Sequence, residues 1–93
     1  MQLAILTLEF HLEGCRSLKE KRQRLKCLKD RFGRLSHIGV CESDRADSLD
    51  KAQWSFAFLS QNKAGIASAA AMVEEHAATE LDAVIYHQQL EYL

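Results

Sequence analysis

The sequence predicts an α+β sandwich, a four-stranded antiparallel sheet with two helices on one face. Three observations carry that prediction. Four stretches alternate apolar and polar residues at period two, two others repeat apolar residues at helical spacing, and their order along the chain is βαββαβ. With 93 residues, 47% of them hydrophobic, the chain can enclose one core but hardly two, so residues 1–93 are expected to form a single domain.

Residues 2–12 place Ala4, Leu6, Leu8, Phe10 and Leu12 on one face and Thr7, Glu9 and His11 on the other, the pattern of a half-buried strand. Gly14 breaks it. Ser17-Leu18-Lys19-Glu20 then has capping-box spacing, in which the Ser oxygen and the Glu carboxylate each accept a backbone N–H that the helix leaves unpaired. A helix over 18–34 follows, with Leu18, Leu25, Leu28, Phe32 and Leu35 as its apolar stripe and Gly33 as its stop. Residues 37–44 alternate again, setting Ile38, Val40 and Glu42 against Gly39, Cys41 and Ser43. The polar stretch 44–50 reads as a turn, and 52–60 resumes period two through Trp54, Phe56 and Phe58. Asn62 suits the cap of a second helix, ending near Ala78, in which Ile66, Ala69, Ala70, Val73 and Ala77 form a stripe of mostly small residues able to lie close to a sheet. Residues 81–92 supply the last strand. Two strand-helix-strand halves in this order make a ferredoxin-like sandwich, which leaves one sheet face open.

Composition excludes several classes of function. Twelve Lys and Arg against thirteen Asp and Glu give a net charge of −1, too little for attachment to nucleic acid by bulk charge. No apolar run approaches the roughly 20 residues of a membrane span, and Met1-Gln2-Leu3-Ala4 lacks the basic start of a secretion signal, so a cytoplasmic protein without membrane contact is expected. Cys15, Cys27 and Cys41 are odd in number and form no C-x-x-C pair, which argues against a disulfide framework and a cysteine-rich zinc site. His11, His37, His76 and His87 fall in separate elements without metal-ligand spacing, and no G-x-S-x-G, glycine-rich phosphate loop or Cys-His pair is present. No catalytic residue, metal or cofactor is therefore expected. Cys15, beside Arg16 near the helix cap, reads as an ordinary loop thiol.

The opening strand Leu6-Thr7-Leu8-Glu9-Phe10-His11-Leu12, the run Gly14-Cys15-Arg16-Ser17-Leu18-Lys19-Glu20-Lys21-Arg22, Glu42 with Asp44, and Ala57-Phe58-Leu59-Ser60 resemble the domain of unknown function 503, or YlxP-like, family of small bacterial proteins. The likeness covers essentially the whole chain. It implies a ferredoxin-like fold and no established biochemical function. Members are often encoded beside translation and ribosome-maturation factors, which implies by association a connection with RNA or the ribosome.

The strongest charge signal is the first helix. Segment 16–34 holds nine of the twelve cations with only Glu20 and Asp30 between them, so it carries +7 while the rest of the chain carries −8. Lys19, Arg22, Lys26 and Lys29 follow one side of the helix at i, i+3, i+7 and i+10, and Arg16 stands at the Gly14 turn. These five are the expected contacts to an RNA backbone, ribosomal RNA or a ribosomal subunit, without reading of bases. The same face also suits an acidic protein partner or plain solvation.

Trp54-Ser55-Phe56-Ala57-Phe58-Leu59 echoes the aromatic motif with which RNA-recognition domains stack bases on an open sheet. Burial offers about 1.5–3 kcal/mol for each large side chain and favours the core instead. Lys21 falls in the middle of the apolar stripe and Glu42 on the face of Ile38 and Val40, so the two are expected to meet as a partly buried ion pair unless Lys21 snorkels to solvent. Removing either partner of such a pair costs about 3–5 kcal/mol. If even-numbered residues of the first strand fill the core, Leu3, Ile5, Cys41, Ala57 and Leu59 leave an apolar patch on the open face. A homodimer covering that patch is expected, and a homodimeric protein-binding module without a nucleic-acid role is the alternative to the RNA reading.

Overall fold

The computed structural model describes residues 1–93. Its elements are β1 (Gln2–His11), α1 (Leu18–Phe32), β2 (Ile38–Asp44), β3 (Lys51–Ser60), α2 (Lys63–Glu80) and β4 (Val84–Tyr92). The strand order is β2-β3-β1-β4 with every neighbouring pair antiparallel, so β1 and β3 are central and β2 and β4 are edges. This is the ferredoxin-like order, reached because each helix carries the chain from one strand to a parallel, non-adjacent one.

Period two in β1 does what it promises. Ala4, Leu6, Leu8, Phe10 and Leu12 are fully buried, against Leu25, Leu28 and Phe32 of α1 and the small-residue stripe of α2. β1 pairs with β3 in unbroken register from Gln2 opposite Ser60 to His11 opposite Lys51, which turns Phe56 and Phe58 into the same core. Phe56 meets Phe32 edge to face, with ring centroids 6.0 Å apart. Trp54 is half-buried at the margin of this core, opposite Glu42 of β2. No aromatic of β3 is left for a base-stacking platform on the open face.

Boundaries differ by a few residues from the sequence expectation, each for a local reason. α1 ends at Phe32, and the Gly33 N–H donates to the Lys29 carbonyl at 2.9 Å. Gly33 keeps right-handed helical geometry at φ −66, so its value lies in space: a Cβ there would stand 2.5 Å from the Lys29 oxygen. Gly14, by contrast, has φ +69 and needs glycine's freedom for the turn into α1. The capping box is only half made. Ser17 Oγ accepts the Glu20 N–H at 3.0 Å, but the Glu20 carboxylate takes the Arg24 guanidinium at 2.6 Å instead of a backbone N–H. α2 runs to Glu80 and β4 starts only at Val84, because Leu81 has left helical geometry and it and Ala83 pack beside the core rather than joining a strand.

Candidate nucleic-acid interface

The buried face of α1 consists of Lys21, Leu25, Leu28 and Phe32. The Lys21 side chain is 4% exposed and its ammonium lies 3.2 Å from Glu42 Oε2, so the expected ion pair forms. It is one of three contacts. The same Nζ donates to the carbonyls of Arg45 at 2.7 Å and Ser48 at 2.8 Å, giving each ammonium proton an acceptor. Lys21 thus ties the β2–β3 turn to α1, and Arg45 in that turn adopts a left-handed φ of 61. On the far side of the sheet Glu9 accepts from Arg45 Nε and from Tyr86 Oη, both at 3.3 Å. The hydrogen bond to Glu9 raises the Arg45 pKa above its ordinary value, and desolvation followed by the Glu9 charge raises that of Tyr86.

The remaining cations divide in two. Arg24 is consumed by the fold, donating to the Glu13 carbonyl at 2.9 Å while it pairs with Glu20 and, at 3.4 Å, with Asp82. Arg16, Lys19, Arg22, Lys26 and Lys29 are all exposed. Among these five only Lys26 has a carboxylate within 4 Å, Asp30 at 3.9 Å. Arg22, Lys26 and Lys29 come together with Leu25 and Asp30 as one wall of a groove of about 240 Å³ whose other wall is Glu42 and Trp54. An adjoining hollow of about 140 Å³ runs toward Lys21 and shares Arg22, Leu25, Glu42 and Trp54. Arg16 and Lys19 lie outside both. Trp54 was not among the site residues read from the sequence, although its even position in β3 already directed it to the helix side. Its Nε1 is buried without a hydrogen-bond acceptor.

The expected self-association residues share the open sheet face. Leu3 is 38% and Leu59 46% exposed, Cys41 is exposed, and Ile5 and Ala57 are half-buried. Ile5, Cys41 and Ala57 line one shallow hollow of about 320 Å³. The patch stops at mid-sheet. There Thr7, Ser55 and Ser43 are linked through their hydroxyls at 3.3 and 2.7 Å, and Gln53 donates to Ser43 at 3.1 Å.

Elsewhere, His76 stands edge-on to Phe32 at 5.3 Å, and burial followed by the Arg31 charge holds its pKa below the ordinary value. Burial also raises the Cys27 thiol. Cys15 donates to the Ser17 carbonyl at 3.4 Å. No group of three or more His, Cys, Asp or Glu is gathered as a metal site, and no helix is long and apolar enough to cross a membrane.

No curated protein matches the chain. Among solved structures it is similar to the de novo designed protein Ferredog-Diesel, with a TM-score of 0.59 at 11% identity over 96% of this chain and 83% of that one. It is similar also to a dimeric ferredoxin-like protein from an uncultured marine organism, with a TM-score of 0.59 at 5% identity over 100% and 96%. A putative chlorite dismutase gives a TM-score of 0.58 at 13% identity over 99% of this chain and 44% of its own length. At such identities the likeness is one of fold. The family model for proteins of unknown function DUF503 matches residues 3–90, end to end across the sandwich, and the chain belongs to that family.

Proposed function

We propose that this protein is a non-catalytic cytoplasmic factor that holds an RNA backbone, ribosomal RNA or a ribosomal subunit, on α1. Arg16, Lys19, Arg22, Lys26 and Lys29 make the contacts. The observation that carries the reading is that all five are exposed and four have no carboxylate within 4 Å, while the fold uses up Lys21 and Arg24. Free cations along one helix side attract phosphate locally, and the acidic remainder of the chain keeps the molecule from binding polyanions indiscriminately. If about four phosphates are neutralised, log K falls against log salt with a slope of about −3. Replacing Lys19, Arg22 and Lys26 together by Ala flattens that slope and weakens all RNA sequences alike. Absence of salt-dependent retention on ribosomal RNA or subunits at low ionic strength rejects this reading.

A second reading, a homodimeric protein-binding module, is favoured by the exposed Leu3 and Leu59 at the apolar end of the open face. The dimeric ferredoxin-like neighbour supports it by analogy of fold.

A further inference from the structure

The geometry points to a nucleotide site in the groove between α1 and the edge strand β2: one unpaired base of single-stranded RNA lies against the Trp54 indole, with its flanking phosphates on Arg22, Lys26 and Lys29. This rests on the RNA reading above and adds to it the strandedness of the RNA and the place where a base is held.

Four observations converge. The groove of about 240 Å³ and its neighbour of about 140 Å³ share Trp54 and together fall just inside the lower end of the roughly 300–1,000 Å³ of small-ligand sites, room for one nucleotide rather than a folded partner. Its helix wall carries three cations at i, i+4 and i+7 beside Leu25 and Asp30; Asp30 lies 3.9 Å from Lys26, and Arg22 and Lys29 have no carboxylate within 4 Å. Seven residues at 1.5 Å each set those two about 10 Å apart along the axis. Its sheet wall is a half-buried indole whose N–H lacks an acceptor, a group that native structures normally satisfy and that an incoming carbonyl or phosphate oxygen serves after a small shift of the ring. Finally, three carboxylates line the two hollows, Glu42, Asp30 and Asp47; Glu42, the one beside the indole, is already held by Lys21, so it does not repel the phosphates as a free charge and still presents an acceptor to a base amino group.

An aromatic face flanked by cations holds bases without regard to sequence, because every base offers a π-face. A duplex keeps its bases stacked inside and has nothing to insert, which is why the occupant is single-stranded. An acidic peptide satisfies the cations and offers carbonyls to the indole N–H, but its carboxylate side chains have no π-face to lie against the ring.

Trp54 is the chain's sole tryptophan, so tryptophan fluorescence of the wild-type protein, excited selectively over its two tyrosines, reports on this groove alone. The probes are a uridylate oligomer and an inorganic polyphosphate of matched charge, titrated at low ionic strength, with retention on immobilised RNA measured in parallel. The site predicts quenching by the oligomer and not by polyphosphate, while both compete for retention. It also predicts that Trp54→Leu weakens the oligomer about ten-fold and leaves polyphosphate unchanged, with Trp54→Phe restoring most of the loss. Competition by the oligomer without quenching overturns the groove site and leaves the backbone reading standing. Equal quenching by both probes also overturns it, as the signal then follows charge. No retention of either overturns the RNA reading and the groove site together.

Discussion

Lys21 places a charge in an apolar helix stripe, and its three ammonium protons meet three oxygens, two of them backbone carbonyls of the turn, of which that of Arg45 also accepts the Ser48 N–H at 3.1 Å. That changes the energetics expected from the sequence, where either partner of the pair was expected to cost the same. Glu42 is 30% exposed and can fall back on water, whereas loss of the Lys21 ammonium takes a donor from all three oxygens at once. Lys21→Met is therefore expected to destabilise by about 3 kcal/mol and Glu42→Gln by about 1 kcal/mol in urea unfolding, since Gln still offers an acceptor. Equal costs would show that the ion pair dominates the carbonyls. His76 gives a pH signature. Its folded pKa lies below the ordinary 6.5, so the folded state binds fewer protons than the unfolded one as pH falls through that value. The stability it allows is complete above pH 6.5 and declines as pH falls toward the folded value. Melting temperatures at pH 8 and pH 5 are expected to differ less in His76→Gln than in wild type. Among the thiols, exposed Cys41 is expected to alkylate well before Cys27, whose pKa burial has raised, and mass mapping after brief iodoacetamide treatment reads the order directly.

At the scale of elements, the termini of α1 show how capping chemistry and tertiary contacts share the same side chains. Ser17 caps one N–H, so Ser17→Ala is expected to cost about 1 kcal/mol. Glu20 has left the box for an i,i+4 pair with the half-buried Arg24, so Glu20→Gln, which keeps an acceptor for the guanidinium, is expected to cost about 0.5 kcal/mol, against the larger loss a closed box would give. Thermal melts of the two variants separate these cases. Gly33 was legible as a helix stop but for a different reason than the usual left-handed cap: the Lys29 carbonyl occupies the space a side chain needs. Period-two and helical spacing located every strand and helix because both periodicities come from a single element meeting a single core. They fail where the chain changes direction, as between Leu81 and Val84.

Over the whole molecule, the cations collect on α1 and the apolar exposure on the opposite sheet face, so the two proposed surfaces lie on different layers and can be tested apart. The Lys19, Arg22 and Lys26 triple alanine variant is expected to melt within about 0.5 kcal/mol of wild type, because only Lys26 has an ionic partner and that at 3.9 Å. A large loss of stability would instead make these side chains structural and empty the salt-slope experiment of meaning. Light scattering at high micromolar concentration is expected to show a dimer that Ile5→Lys dissociates. A clean monomer that tolerates Ile5→Lys removes the self-association surface.

The sequence by itself determined the element order, the core membership of β1, α1 and α2, the concentration of charge on the first helix and the pairing of Lys21 with Glu42. Each of these follows from spacing along one element or from a single misplaced charge. Only the tertiary structure decided that Lys21 also holds the Arg45 and Ser48 carbonyls, that Arg24 is consumed by Glu13, Glu20 and Asp82, and that Trp54 faces Arg22, Lys26 and Lys29 across a groove. The residues that meet there are mostly far apart in the chain, and what brings them together is the β2–β3 turn and the crossing of a helix over a sheet edge, which leave no period in the sequence to read.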